Sequence, residues 1–246
     1  MNSPVITLSQ VGKRYILHKQ KPFLAGELFN RWILRKDVRE AFWALQDVSL
    51  TIHAGESVAF VGHNGAGKST LLSVIAGTTQ ATSGTIRVQG RIGALLELGA
   101  GFHPDLTGRE NIFLNASLLG LSEAEVERQY DDIVEFSGLA EFIDVALRNY
   151  SSGMQMRLGF SVAIHLNPDI LIMDEVFAVG DQEFQQKCLS RIHAFKQEGK
   201  TLLFVTHNLA SLKDICRRAV WLDHGRICLD GPLSDVLDSY SAARKS

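Results

Sequence analysis

The sequence has few cysteines, with three in 246 residues, at positions 188, 216 and 228, and no C-x-x-C pair. An odd number without paired spacing excludes a disulfide framework and a cysteine zinc site, so the thiols are expected to be small core residues in a reducing compartment. No stretch approaches the roughly 18 apolar residues of a membrane span. The N-terminus also lacks the charged and apolar regions of a signal peptide. The sequence therefore predicts a cytosolic protein that does not itself cross a membrane.

An excess of either charge is also missing, because 25 basic residues face 27 acidic ones and the formal net charge is -2. Without a global positive field, nucleic acid is not an expected partner. Positive charge is in excess only locally, between Lys13 and Glu40, where there are eight basic residues and three acidic ones. The length and apolar content are sufficient for one compact domain with a lobe.

Residues 62–70, GHNGAGKST, fit the spacing G-x-x-x-x-G-K-[ST] between the apolar runs 57–61 and 71–76. This order predicts strand, loop and helix, in which backbone N–H groups, the helix N-terminus and Lys68 surround phosphate groups. Ser69 then offers a hydroxyl to the Mg²⁺ that accompanies a triphosphate. The predicted phosphate site consists of Gly62, His63, Asn64, Gly65, Ala66, Gly67, Lys68, Ser69 and Thr70.

Two further predicted strands end in groups suited to phosphate chemistry. Residues 169–175 place four apolar residues before Asp174 and Glu175, which is typical of a buried parallel strand whose carboxyl end binds ligands. Asp174 is expected to hold Mg²⁺, directly or through water, and Glu175 to orient or deprotonate the attacking water. The apolar run 201–206 predicts another buried strand, and His207 at its end is expected to reach a γ-phosphate from the same edge.

The other patterns outline the rest of the chain. Alternating apolar and polar residues, bounded by glycines, predict strands at 5–8, 48–52, 84–90 and 92–98. Ser122 and Glu125 predict a capping box, followed by a helix with one apolar face that Gly138 ends. A second helix is expected to start near Ser151 and run to Leu166. The predicted division is a core of 1–98 and 166–246 with a helical lobe of about 99–165.

A basic insertion of about 16–43 separates the first two predicted strands. After Pro22, the apolar residues Leu24, Leu28 and Trp32 recur at helical spacing, so we expect a short amphipathic helix with a cationic C-terminal end. Two interpretations remain open. The helix either contacts a membrane or a membrane partner, or it packs on its own domain.

Taken in order, these motifs resemble those of the nucleotide-binding subunits of ABC transporters over essentially the whole chain. In that comparison residues 150–154, YSSGM, match the signature motif, residues 178–181 match the D-loop, and His207 is the switch histidine. The resemblance implies an α/β P-loop NTPase of one domain, 1–246, with a mainly parallel RecA-like core sheet, an antiparallel β subdomain and a helical lobe. It also implies ATP and Mg²⁺ as cofactors. Tyr15 matches the aromatic residue that stacks on adenine, with Phe42 or Trp43 as alternatives.

At two places the sequence departs from the family pattern, and both departures point to one branch of the family. Glu97 stands where a glutamine usually faces Mg²⁺, and the signature has Ser152 and Met154 in place of glycine and glutamine, although Ser151 and Gly153 remain to contact ATP. Both departures resemble the exporters of bacterial surface polysaccharides, above all O-antigen exporter ATPases, with teichoic-acid exporters close behind. Many O-antigen members carry a further C-terminal carbohydrate-binding domain, so a chain that ends at Ser246 is expected to be the short form or a truncated one.

The resemblance implies a mechanism and a set of partners. Two copies are expected to form a homodimer that closes on ATP and pulls on an integral-membrane transporter subunit, which exports a lipid-linked polysaccharide. The chain would be a peripheral protein at the cytoplasmic face of the bacterial inner membrane, with residues 97–107 and the helical lobe facing the partner. Alternatives are the ATPase of a capsule, lipid or drug exporter, or a soluble ABC ATPase acting on DNA or ribosomes. The soluble class needs a coiled-coil insertion or a second cassette, and neither pattern occurs here.

Overall fold

The computed structural model describes residues 3–18, 39–95, 101–118, 121–165, 167–174, 180–205 and 213–244. Within these ranges the chain forms nine strands, arranged in two sheets, and seven α-helices. None of the helices in the described ranges is both long enough and apolar enough to cross a membrane. The amphipathic helix predicted at 22–36 lies outside the described residues.

The smaller sheet is antiparallel, with the order β2-β1-β4. Its strands are β1 (Pro4–His18), β2 (Arg39–His53) and β4 (Ser83–Val88). The strands β1 and β2 are 15 residues each, much longer than predicted, because beyond Val11 they pair through their backbones while carrying exposed aromatic and charged side chains. The pairing extends from Pro4 opposite His53 to His18 opposite Arg39, so both ends of the basic insertion continue these strands.

The larger sheet forms the core, with the order β5-β6-β7-β3-β8-β9. Every pairing is parallel except that of the edge strand β9 with β8, which confirms the predicted mainly parallel sheet and the separate antiparallel one. Its strands are β3 (Ser57–Val61), β5 (Ile92–Leu95), β6 (Ile170–Asp174), β7 (Thr201–Val205), β8 (Arg218–Asp223) and β9 (Arg226–Pro232). The sequence patterns did not predict β8, β9 or the helix that follows them.

The helices α1 (Lys68–Ile75), α6 (Gln182–Gln197) and α7 (Leu233–Ala243) belong to the core. The lobe contains α2 (Gly108–Leu118), α3 (Glu123–Glu127), α4 (Tyr130–Ser137) and α5 (Ser152–His165), with short 3₁₀ turns at Ala140–Phe142 and Leu147–Asn149. The capping box is confirmed, since the Ser122 amide donates to the Glu125 carboxylate over 2.9 Å. The single helix predicted after it is instead two, α3 and α4. Gly138, with φ of +63°, ends α4 as predicted.

Alternating residues of the core strands fill two hydrophobic clusters, one on each face of the sheet, and a third cluster fills the lobe. Cys188 and Cys216 are buried in the first cluster, where burial raises the pKa of each thiol to about 12. The prediction that all three cysteines are core residues is wrong for Cys228, which is exposed on the edge strand β9. An edge strand buries only part of one face, so a small apolar side chain on it can remain exposed to solvent.

Candidate nucleotide site

The predicted phosphate loop lies between the buried strand β3 and the helix α1, as its flanking sequence requires. Two of its glycines fix its path. Gly67 has φ of +104°, and a Cβ atom there would lie 2.6 Å from the carbonyl oxygen of Ala44. Gly62 has φ of +152°, and a Cβ atom there would collide with the carbonyl oxygen of Leu222. Only glycine satisfies both the backbone angle and the space at these positions.

Lys68 is a buried cation, with 7 % of the residue exposed. Its Nζ donates to the carbonyl oxygens of Gly62 and His63, each over 2.9 Å, so the loop folds around its ammonium group. A buried charge requires hydrogen-bonded partners, and these carbonyls supply them. Phosphate oxygens are stronger acceptors for the same ammonium group, because the bonds are then charge-assisted on both sides.

Ser69 and Asp174 meet at the carboxyl ends of the strands. The Ser69 hydroxyl donates to a carboxylate oxygen of Asp174 over 2.7 Å, and β6, which carries Asp174, is separated from β3 by one strand. A hydroxyl and a carboxylate are the oxygen donors that Mg²⁺ prefers, and the ion commonly keeps water and substrate phosphates as its remaining ligands. The donor set therefore fits the predicted magnesium site.

An open cavity of about 570 Å³ joins these groups. It brings together two aromatic residues of the antiparallel sheet, six predicted phosphate-loop residues and Asp174. Its lining consists of Tyr15, Phe42, Ala44, Asn64, Gly65, Gly67, Lys68, Ser69, Thr70, Asp174 and Val205. A larger groove of about 750 Å³ elsewhere, between the two sheets, contains none of the predicted site residues. The smaller cavity is thus the candidate site.

The aromatic wall of the cavity has two members. Tyr15 and Phe42 are direct partners in the β1–β2 register, are 40 % and 50 % exposed, and both line the cavity. Trp43 points to the opposite face, where its ring lies beside Gly12 and 5.5 Å from the Arg14 guanidinium. Of the three aromatic candidates, Tyr15 and Phe42 therefore face the site and Trp43 does not.

The signature residues lie at the start of α5. The Ser151 hydroxyl accepts from the amide of Met154 over 3.2 Å, and a Cβ atom on Gly153 would have only that hydroxyl within 4 Å. Neither residue lines the nucleotide cavity of its own chain. The preceding Tyr150 is buried, donates to the Phe142 carbonyl over 2.7 Å, and has its pKa raised by burial to about 12. Tyr150 thus anchors the motif, while Ser151 is exposed and Gly153 partly exposed.

Three predicted site residues, Glu97, Glu175 and His207, lie outside the described residues. Of the predicted D-loop, Gly180 and Asp181 are described. The Asp181 carboxylate accepts from the amide of Phe184 over 2.9 Å and caps α6, while its other oxygen lies 3.8 Å from the Arg157 guanidinium of α5. The signature helix and the start of α6 are therefore joined by Arg157.

The sequence patterns do not predict the role of Asn111, which is fully buried. Its amide oxygen accepts from the His103 N–H over 2.7 Å, and its amide nitrogen contacts three carbonyl oxygens at 2.9–3.1 Å. These carbonyls belong to His103, Leu106 and Thr107, in the loop predicted to face a membrane partner. Asn111 thus fixes that loop to α2. The only sequence feature that could have indicated this role is a polar asparagine directly before the apolar residue Ile112.

Comparison with known proteins agrees with this geometry. A family model described as ABC transporter matches residues 45–178. The O-antigen export system ATP-binding protein RfbB of Klebsiella pneumoniae is 47 % identical over 98 % of both chains. The teichoic acids export ATP-binding protein TagH of Enterococcus faecalis is 45 % identical over 82 % of this chain and 45 % of its own length.

Two solved structures are similar in fold. One, described as the ATP binding subunit of an ABC transporter, has a TM-score of 0.75 and 26 % identity over 96 % of this chain and 93 % of its own. The other is the dimeric ATP-binding cassette MJ0796 in a post-hydrolysis state with ADP and Pi, with a TM-score of 0.72 and 23 % identity over 93 % and 98 % of the two chains.

Proposed function

Because the chain belongs to the ABC transporter family, we propose that it is the ATP-hydrolysing subunit of a bacterial exporter of surface polysaccharide. The observation that carries the proposal is the cavity in which Lys68, the Ser69–Asp174 pair and the Tyr15–Phe42 wall converge. These are a cation for phosphates, oxygen donors for a metal ion and apolar rings for a base. An ATP–Mg²⁺ complex requires all three.

Each described residue has a distinct task in ATP binding. Tyr15 and Phe42 stack on adenine, the phosphate loop and Lys68 hold the phosphates, and Ser69 and Asp174 hold Mg²⁺. When bound, Mg²⁺ neutralises charge on the β- and γ-phosphates. Glu175 orients the attacking water and accepts its proton, and His207 contacts the γ-phosphate. These two roles, and the support of Mg²⁺ by Glu97, rest on the motifs in which the three residues occur.

The second half of each ATP site comes from a second copy of the chain. Ser151 is exposed, Gly153 is partly exposed, and neither lines the cavity of its own chain, which supports a role across a homodimer interface. ATP that contacts both copies binds the closed dimer more tightly than the open one, so it shifts the equilibrium toward the closed dimer. Hydrolysis of the ATP removes this preference for the closed state. A heterodimer of one Lys68→Ala copy and one copy substituted at Ser151 should keep one of its two composite sites. A monomer with full ATPase activity at high dilution contradicts this arrangement.

The cargo and the partner follow from the relatives. The chain matches a Klebsiella O-antigen export ATP-binding protein over nearly all of both sequences, which supports a lipid-linked O-antigen polymer as cargo and an integral-membrane transporter subunit as partner. The subunit would sit at the cytoplasmic face of the inner membrane as a peripheral protein, without a nucleic-acid partner. Teichoic acid is the second candidate cargo, because exporter ATPases for that polymer are 39–45 % identical to this chain.

The test is export by a cell that lacks its own O-antigen export ATPase. The wild-type chain, expressed with its membrane partner, should restore surface polymer, and the Lys68→Ala variant should not. Purification of the complex and stimulation of its ATPase activity by lipid-linked O-antigen or by lipid-linked teichoic acid then separates the two cargoes. Failure to co-purify with any polysaccharide exporter subunit would refute the proposed function.

A further inference from the structure

A second group of metal-ligating side chains lies beside the phosphate loop, outside the nucleotide cavity. It consists of His63, on the loop, and Asp223 and His224, at the turn between β8 and β9. One ligand atom of each residue lies within 4.8 Å of those of the other two. His63 Nε2 is 3.0 Å from Asp223 Oδ1, and the two imidazole rings are 5.1 Å apart.

The hydrogen bonds of His63 point to a cation between these groups. Its Nδ1 lies 2.6 Å from the carbonyl oxygen of Asn64, which can only accept, so Nδ1 must carry a proton. In a neutral ring Nε2 then has a bare lone pair, and it faces a carboxylate oxygen that is also only an acceptor. Two acceptors at 3.0 Å repel each other unless a proton or a metal ion lies between them.

The geometry suits a metal ion. A metal ion holds imidazole nitrogen and carboxylate oxygen at about 2.1 Å, so two adjacent ligand atoms lie roughly 3.0–3.4 Å apart. The His63–Asp223 contact falls in that range. A metal-binding histidine also commonly donates its other N–H to a backbone carbonyl, which fixes the ring, and the Asn64 carbonyl has that position here.

The turn between β8 and β9 places His224 beside the phosphate loop. This residue has φ of +45°, in the left-handed region, and the following Gly225 has φ of +76°. A two-residue hairpin turn of this kind favours asparagine followed by glycine. Histidine is also tolerated in the left-handed region, and at this position its ring lies 5.1 Å from that of His63. The turn is also joined to the phosphate loop, because the Gly225 amide donates to the Ala66 carbonyl over 2.9 Å.

We propose that His63, Asp223 and His224 bind a divalent transition-metal cation of the Zn²⁺ class, separate from the Mg²⁺ of the nucleotide site. Two imidazoles and one carboxylate select such metals over Mg²⁺, which prefers oxygen alone. Three protein ligands leave positions for water. The bound ion connects the phosphate loop to the β8–β9 turn and stabilises the folded chain by binding the native state.

The test is a Zn²⁺ titration of the metal-stripped full chain in competition with a chromogenic chelator. All variants are made in a chain that carries Cys228→Ser, which is called the background. This substitution removes an exposed thiol that is near Asp223 and could bind Zn²⁺ itself. One Zn²⁺ per chain should bind. His224→Asn keeps a residue suited to the turn and should weaken binding at least about tenfold, as loss of a group supporting a metal site does. His193→Asn, an exposed histidine on α6, is the matched control and should bind as the background does.

A second readout is thermal unfolding, in which Zn²⁺ should raise the melting temperature of the background and of His193→Asn but not of His224→Asn. His63→Gln gives a second loss-of-ligand variant should His224→Asn fail to fold. The proposal is overturned if the background binds less than one Zn²⁺, or if both ligand variants bind it as tightly as the control. In that case a proton alone bridges His63 and Asp223.

Discussion

The Ser69 hydroxyl and the Asp174 carboxylate lie 2.7 Å apart, although 105 positions separate them in the sequence. The core sheet brings them together, because parallel strands end at a common edge where ligands bind. Their two oxygens are at a distance at which one Mg²⁺ ion can contact both. The contact thus links the phosphate loop to the acidic strand.

Asp174→Asn should weaken the Mg²⁺ dependence of ATP binding, because an amide oxygen lacks the charge that attracts the ion. We expect about 10- to 100-fold weaker Mg²⁺ affinity and unchanged ATP affinity in EDTA, both measured by calorimetry. Asp169→Asn is the matched control, because Asp169 directly precedes the same strand at its other end and its carboxylate accepts from the Arg91 amide. Equal effects of the two variants on Mg²⁺ affinity would remove Asp174 from the metal site.

Lys68→Ala and Glu175→Gln should have different phenotypes. The first removes the ammonium group buried inside the loop and should abolish ATP binding or leave it very weak. The second should still bind ATP and trap a closed dimer while turnover falls about 10²- to 10⁴-fold, the usual effect of a positioned base. Nucleotide binding, ATPase rate and sedimentation measure the three properties. Normal hydrolysis by Glu175→Gln would show that another group activates the water.

The three aromatic residues near the site should differ in their effect on nucleotide affinity. Tyr15→Ala and Phe42→Ala each remove a ring from the cavity wall, and stacking of one base on an aromatic ring is worth about 1–3 kcal/mol. Trp43→Ala is the control, since this ring lies on the other face of the same hairpin. ADP binding should weaken for the first two variants only. A loss confined to Trp43→Ala would place adenine elsewhere.

The parts of the site that the sequence predicts are those that local chemistry dictates. The glycine spacing around Lys68 is typical of a phosphate loop, and Asp174 follows a short apolar run of the kind found in buried parallel strands. The roles of Tyr15 and Phe42 depend on a cross-strand register that no local pattern contains. Sequence alone therefore left three aromatic candidates, and the register reduces them to two.

What the sequence does not predict depends on long-range contacts. The exposed halves of β1 and β2 lack an apolar alternation, so their pairing out to His18 and Arg39 is not apparent before folding. The pairing of His63 with Asp223 joins the phosphate loop to the end of β8, which lies far away in the sequence. Asn111 is buried only because three carbonyls of a loop converge on it.

Asn111→Ala should destabilise the lobe. The substitution leaves the His103 amide and three loop carbonyls without their buried partner, and an unsatisfied buried group costs about 1–3 kcal/mol. Urea denaturation measures the loss, and faster amide exchange at His103 locates it. Ser117→Ala, on an exposed turn of the same helix, should change the free energy of unfolding by less than about 0.5 kcal/mol. Unchanged exchange at His103 in Asn111→Ala would mean that other contacts hold the loop.

The basic segment of residues 22–36 can be removed without separating the strands around it. His18 and Arg39 are opposite each other in the β1–β2 register, so a short Gly/Ser linker is long enough to close the hairpin. We propose that the segment lies against the membrane subunit or anionic lipid. A cation near an anionic surface is worth about 1 kcal/mol, and burial of a large apolar side chain such as Leu24, Leu28 or Trp32 about 1.5–3 kcal/mol.

Deletion of residues 22–36 with such a linker should therefore give a folded subunit with nearly normal basal ATPase activity and no polymer export. The rival interpretation, packing on its own domain, predicts a less stable or ATPase-inactive product, because removal would expose core. Thermal unfolding and basal ATPase activity distinguish the two. A control chain that keeps the apolar residues but replaces Arg31, Arg35 and Lys36 with glutamine tests the charge alone, and it should retain the fold while losing part of the export. Normal export by the deletion variant would contradict the membrane role.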